Sequence, residues 1–216
     1  MFGKIKYFLR RPLQLIVVPV VRIFPGLKFI RETQDYQGFV NFEFWFTQKV
    51  LNIGGNRKAY WPVHFTSKVY DVEKIDVGID AYPGIMGGCY ITGRGGLTIG
   101  DYTQIAPNVA IVTANHDPYD SRKHILKPVA IGKYCWLGAG CKIMPGVVLG
   151  DWTVVAAGAV VTKSFPEGFC ILGGVPAVKI RDLDKEKCVP FENKHKYRGY
   201  IKAEHFEKFK GKYLNL

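Results

Sequence analysis

The sequence predicts an all-β solenoid of parallel strands with an extension at each end, and two observations carry that prediction. Aliphatic residues recur at every sixth position from Ile131 through Leu137, Ile143, Leu149 and Val155 to Val161, and on the same period at Ile99, Ile105 and Ile111. The next residue is usually small, as at Gly100, Ala106, Gly132, Gly138, Gly150 and Ala156, and a second compact position follows four residues after each aliphatic, as at Thr103, Val109, Cys135, Cys141, Val147, Thr153 and Ala159. A period of six fits neither an amphipathic helix at 3.6 nor a half-buried strand at 2. It fits a coil with flat faces of about six residues, each sending one aliphatic side chain into a narrow core, with small residues where the backbone turns. Three faces make a coil, so about a dozen hexads give about four coils, joined by nearest-neighbour contacts and leaving two open ends to be covered.

Taken in order, residues 1–59 read as a basic and aromatic helical extension. Lys4, Lys6, Arg10 and Arg11 alternate with Phe2, Ile5, Phe8, Leu9 and Leu13, a pattern that fits a cap over the solenoid, a subunit contact or an anionic membrane surface. The apolar run Leu13–Val21 is broken by Gln14 and Pro19 and is far short of the roughly 20 residues that span a bilayer; no small-residue cleavage site follows it. Phe42, Trp45, Phe46 and Val50, spaced at three and four within 39–52, predict a helix packed on the first coils. Residues 60–182 form the solenoid. Its upstream register is shared between two frames, Ile79, Ile85 and Ile91 against Val77, Pro83 and Cys89. Twenty residues separate Ile111 from Ile131 where eighteen complete a coil, and the polar, proline-flanked stretch within 112–128 reads as an excursion loop. Residues 183–216 mix bases with Phe191, Tyr197, Tyr200, Phe206 and Phe209 and read as a helical cap or subunit contact.

Composition narrows the partners. The chain has 216 residues, 48% hydrophobic, with 30 Lys and Arg against 18 Asp and Glu, a formal charge of +12. Residues 1–34 hold seven bases and one acid, 35–178 twelve and eleven, and 179–216 eleven and six. The centre is therefore nearly neutral, which argues against a nucleic-acid-binding body. The five cysteines, at 89, 135, 141, 170 and 188, have no CxxC or Cys/His spacing. They predict reduced thiols in a cytoplasmic protein, with no zinc site and no disulfide framework.

Chemistry concentrates at Thr113-Ala114-Asn115-His116-Asp117, where the repeat gives way to the loop. A neutral imidazole at that point can take the proton from an attacking hydroxyl, help worth typically ~10²–10⁴-fold. Asp117 points to the opposite side from His116 in an extended segment and reads as a loop or acceptor contact. Asn115 suits a turn or an acceptor contact, and His124 lies in the same loop. His64, in Tyr60-Trp61-Pro62-Val63-His64, is the rival base, in a setting that favours packing.

The run IGKYCWLGAGCKIMPGVVLGDWTVVAAGAVVTKSFPEGFCILGGVPAVKIR at 131–181, with IGDYTQIAPNVAIVTANHD at 99–117, resembles the hexapeptide-repeat acyltransferases, in particular the maltose, galactoside and capsular-sugar O-acetyltransferases. The resemblance covers roughly residues 60–182 and implies a left-handed parallel β-helix. It implies acetyl-CoA as donor without a metal, His116 as general base, and a homotrimer with each active site between neighbouring β-helices. The positions matching the family's donor groove are Trp136, Ala139, Ala157, Thr162 and Lys163, then Gly174, Pro176 and Arg181. Small residues at 139 and 157 suit a slender pantetheine arm, although corner size in the repeat demands them equally; Lys163 and Arg181 suit nucleotide phosphates. The family's sugar-holding asparagines fall here on Gly84 and Met86. That departure favours the capsule, exopolysaccharide and lipopolysaccharide branch, with nucleotide-linked or lipid-linked sugar acceptors. Serine and small-molecule acetyltransferases are the alternatives within the same chemistry. A β-helical carbonic anhydrase would need three histidines on zinc at a subunit boundary, and a non-catalytic basic module for membrane or nucleic acid is the reading outside enzymes.

Overall fold

The computed structural model describes residues 27–36, 38 and 41–216. Short strands joined by tight corners wind into a three-sided coil. The first face carries β1 (Lys68–Tyr70), β3 (Tyr90–Thr92), β6 (Ala110–Ile111), β11 (Lys142–Ile143) and β14 (Val160–Val161); the second carries β2 (Ile75–Val77), β4 (Leu97–Ile99), β9 (Val129–Ile131) and β12 (Val148–Leu149). The third carries β5 (Gln104–Ile105), β10 (Trp136–Leu137), β13 (Thr153–Val155) and β15 (Cys170–Gly174), with β16 (Ala177–Asp182) added antiparallel at its edge. All other pairings within these faces are parallel.

The six-residue period is the wall of this coil. Ile131 pairs with Leu149, Leu137 with Val155 and Ile143 with Val161, each 18 residues on, and all six side chains are buried. One coil earlier the partners Ile99 and Ile131, Ile105 and Leu137, and Ile111 and Ile143 are 32 apart. The excursion therefore inserts 14 residues. Ile111 and Ile131 lie on consecutive faces, so six residues, not the expected eighteen, would have joined them. Upstream, Val77 aligns with Ile99 and Ile91 with Ile111. Each competing frame thus holds on one face, because extra residues lie between them.

Close approach explains the small corners. A Cβ on Gly132 would sit 2.5 Å from the Asp151 backbone nitrogen of the next coil. All five cysteines are free, and Cys89, Cys135, Cys141 and Cys170 are buried. Burial pushes the Cys135 thiol up to about 11 and the Cys141 thiol up to about 12, so both are inert neutral packing groups.

One corner is built against local preference. Tyr102, Tyr134, Trp152 and Phe169 all have left-handed backbone, with φ of 61°, 54°, 58° and 46°. Their rings stack coil upon coil at 5.2, 4.6 and 6.5 Å, and the Lys185 ammonium closes the column 4.8 Å above Phe169. Stacking offsets the roughly 1–2 kcal/mol that each side chain loses in that conformation.

The tail then returns to the beginning of the solenoid. After a 3-10 turn at Lys185–Lys187, Phe191 packs on Tyr102 and Tyr134, and the Tyr134 hydroxyl donates to the Phe191 carbonyl at 2.9 Å. A hairpin of β17 (Tyr197–Arg198) and β18 (Ile201–Lys202) leads into helix Ala203–Tyr213. That helix buries Phe206 against Tyr60, and its Lys210 joins Arg198 on the Asp76 carboxylate at 2.7 and 3.0 Å. Apart from that 3-10 turn, residues 183–202 are thus not helical, because they follow the coil's side and its aromatic column.

At the other extension, helix Lys28–Glu32 buries Phe29 and Ile30, and helix Phe42–Lys49 is capped by Asn41, whose side-chain oxygen accepts from Phe44 N at 2.7 Å. The expected apolar face holds in part: Phe42 and Trp45 pack half-buried against the core, whereas Phe46 and Val50 are exposed and the fully buried side chain is Gln48. Its amide donates to the Asn56 and Trp61 carbonyls and accepts from Val63 N and the Tyr200 hydroxyl, so polar bonds add to the apolar packing that holds this helix. The basic segment within 1–34 lies outside the described residues up to position 26, as do Phe39 and Val40. No helix among the described residues is long and apolar enough to cross a membrane.

Candidate active site

The excursion is an antiparallel hairpin of β7 (Ala114–His116) and β8 (His124–Leu126), with His116 directly opposite His124. Thr113 fixes its root. The buried Thr113 hydroxyl donates to the Thr92 carbonyl at 2.9 Å and accepts from Gly95 N at 2.9 Å, and its own carbonyl accepts from Lys127 N at 3.0 Å. Only glycine fits at 95, since a Cβ there would lie 2.2 Å from the Thr113 carbonyl oxygen. Asp117 closes the hairpin turn by accepting from Tyr119 N and Asp120 N at 2.8 and 3.1 Å.

His116 Nδ1 lies 2.6 Å from the Ser121 carbonyl oxygen. A carbonyl only accepts, so Nδ1 carries the proton, and in a neutral ring the lone pair is then on Nε2. The His124 ring stands 4.5 Å away, centre to centre. Partial desolvation, then the Arg94 cation and His116, lower the His124 pKa below its ordinary value, which favours a neutral second imidazole.

A hollow of about 340 Å³ opens at these rings, a volume within the range of small-molecule sites. Tyr70 and Tyr90, from adjacent strands and each 49% exposed, form one wall with ring centres 5.8 Å apart. Thr92 and Arg94 form the other side, and Asp71, Val112 and Ala114 complete it. None of Tyr70, Asp71, Tyr90 or Arg94 was singled out in the sequence. They converge only through the register that brings β1 and β3 beside β6.

Of the residues expected to meet an acceptor, His124 joins His116. Asn115 pairs with Ile125 and, next to His116 in a strand, faces the opposite side. Asp117 serves the turn. Met86 lines a separate hollow of about 390 Å³ with Trp136, Gln104 and Pro107, so within one chain it does not meet His116. The rival His64 bonds Thr66 Oγ1 at 2.7 Å and packs on Phe65, in a third hollow.

The expected donor residues are all exposed, and those that border the first face fall on its two edges. The strand register carries Val112, Met144 and Thr162 in one row, with Lys163 following, so Thr162 stands two coils or about 10 Å from the His116 hollow. Ala139, Ala157 and Gly174 line the other edge, where Gly158 N donates to the Ala139 carbonyl at 2.9 Å. Trp136, 56% exposed, stands on the third face, Pro176 lies between β15 and β16, and Arg181 sits on β16. No group of three or more His, Cys, Asp or Glu among the described residues is placed to hold a metal ion.

A three-sided parallel coil with a wall period of six is the architecture that a hexapeptide repeat builds. Residues 128–163 match the family model described as bacterial transferase hexapeptide (six repeats). The chain is similar to a galactoside O-acetyltransferase of Escherichia coli K12, 37% identical over 102 residues that cover 45% of this chain and 50% of that protein. It is also similar to a putative colanic acid biosynthesis acetyltransferase of the same strain, 36% identical over 110 residues that cover 50% of this chain and 59% of the relative. The chain thus spans about half the length of these curated relatives. A solved galactoside acetyltransferase in complex with coenzyme A shares the fold, with a TM-score of 0.50, 24% identity, and coverage of 82% of this chain and 100% of that one.

Proposed function

We propose that the protein is an acetyl-CoA-dependent O-acetyltransferase acting on a sugar hydroxyl, with His116 as general base on a left-handed β-helix. The tautomer of His116 carries this reading: the Ser121 carbonyl holds the Nδ1 proton and leaves Nε2 free to accept one. Nε2 takes the acceptor hydroxyl proton as that oxygen attacks the thioester carbonyl carbon. The tetrahedral intermediate then collapses, the carbon–sulfur bond breaks, and the departing thiolate takes the proton back from the imidazolium. The products are an acetyl ester and free coenzyme A, with no acyl-enzyme.

The donor residues support a shared site. Ala139, Ala157 and Gly174 lie on the opposite edge of the first face from Thr162 and Lys163, so one slender thioester reaches both sets only where two copies stand side by side. A homotrimer supplies that groove and brings one copy's Trp136 and Met86 toward the neighbour's His116. Capsule, exopolysaccharide or lipopolysaccharide assembly is the favoured setting, since a relative is named for colanic acid biosynthesis. The acceptor is then a nucleotide-linked or lipid-linked sugar met in the cytoplasm, with residues 1–34 as the membrane contact. Deleting 1–26 is expected to reduce liposome binding while coenzyme A release with a soluble acceptor persists.

The test is His116→Ala, assayed by thiol release with acetyl-CoA and a sugar panel. Transfer is expected to fall ~10²–10⁴-fold with the assembly intact on sizing; activity within tenfold of the parent would overturn the role.

A further inference from the structure

Among the described residues, Arg94 is the one Lys or Arg lining the His116 hollow. Its backbone is held on three sides. A Cβ on Gly93 would lie 2.5 Å from the Asp71 carbonyl, one on Gly95 would lie 2.2 Å from the Thr113 carbonyl, and Gly96 N closes the turn on the Gly93 carbonyl at 2.7 Å. Lys74 Nζ donates to the Arg94 carbonyl at 3.3 Å. The fold thus fixes this Cα at the hairpin root, yet the exposed guanidinium forms no ion pair among the described residues. Positions 1–26, 37, 39 and 40 contain no Asp or Glu, so no side-chain carboxylate of its own chain neutralises it. Asp71 lines the same hollow and is not paired with it either.

An uncompensated guanidinium on a fixed backbone, lining the same hollow as His116, suits an anion, because its planar fork matches carboxylate and phosphate oxygens. The Tyr70 and Tyr90 rings offer the apolar face of a sugar a surface to lie on, and the Asp71 carboxylate accepts from its hydroxyls.

We propose that the acceptor is an anionic sugar, carrying a carboxylate or a phosphate, and that Arg94 binds that anion while His116 takes the proton from the hydroxyl. This rests on the acetyltransferase reading of the site, and the experiment separates the two. Binding of glucuronate, glucose 1-phosphate and glucose to the His116→Asn assembly is measured by calorimetry with coenzyme A present, alone and combined with Arg94→Gln and Arg94→Lys. Turnover of the same three sugars is measured on the parent and on the Arg94 variants.

Glucuronate or glucose 1-phosphate is expected to bind better than glucose. Arg94→Gln is expected to collapse that preference by about 10- to 100-fold, mainly in KM for turnover, with Arg94→Lys recovering part of it. Which anion prevails identifies carboxylate or phosphate. Equal binding of all three sugars, or a preference that survives Arg94→Gln, would overturn the proposal while leaving neutral-sugar transfer intact. Dissociation of the assembly in Arg94→Gln would also overturn it, since Arg94 would then pair with a neighbouring copy. Arg94-dependent anion binding without thiol release would instead uphold the anion site and defeat acetyl transfer.

Discussion

His116 Nδ1 and the Ser121 carbonyl oxygen are 2.6 Å apart, a contact that spans the hairpin turn and sets which ring nitrogen is basic. In the proposed mechanism the group that orients His116 is therefore a backbone carbonyl five positions on. Asp117, the adjacent carboxylate, serves the turn through Tyr119 N and Asp120 N. Asp117→Ala is expected to loosen the turn that carries Ser121. Steady-state kinetics should show kcat reduced by less than about tenfold, well short of the His116→Ala loss. A loss as large as that of His116→Ala would give the carboxylate a direct part in catalysis.

The His124 imidazole supplies a pH prediction. Its pKa is lowered by partial desolvation, then by Arg94 and His116, so the folded state binds that proton less readily than the unfolded chain. Stability from this group is therefore present above the ordinary histidine pKa of about 6.5 and is lost as pH falls through the lowered folded value. Proton NMR titration is expected to place the His124 midpoint below about 6.5, and Arg94→Gln is expected to move it upward.

The aromatic column makes a prediction that runs against side-chain size. Tyr134 has φ 54° and stacks between Tyr102 and Trp152. Both Tyr134→Ala and Tyr134→Gly lose the stack, but only glycine relieves the left-handed backbone. Tyr134→Gly is expected to be more stable than Tyr134→Ala by about 1 kcal/mol in denaturant unfolding.

The returning tail is expected to hold the first coil closed. Phe206→Ala opens a cavity against Tyr60 and is expected to cost about 3–5 kcal/mol. Asp76→Ala leaves Arg198 and Lys210 without their shared carboxylate and is expected to cost about 3 kcal/mol. Hydrogen exchange should localise the loosening to the strands around Ile75 and Ile91. Uniform loosening of all coils would contradict a capping role.

The periodic part of the fold was legible because each hexad repeats one local rule: the column Ile131, Leu149 and its neighbours is readable from any coil. The hollow was not, since Tyr70, Tyr90 and Arg94 are separated in sequence and meet only through strand register. His116 stood out because it falls where the period fails, whereas its orienting partner is a main-chain carbonyl, which leaves no residue-type signal. The aromatic column was hidden for a different reason: Tyr102, Tyr134 and Trp152 occupy left-handed corners that side-chain preference assigns to glycine or asparagine. The tail's course depends on contacts such as Phe191 on Tyr134, which no local pattern in 183–202 announces.

The most direct test of the central claim is mass spectrometry of sugar acceptors after incubation with acetyl-CoA and either the parent protein or His116→Ala. The expected result is a gain of about 42 Da, one acetyl group, on an acceptor with the parent protein and its loss with the variant. A gain of the same size and rate with His116→Ala would contradict it.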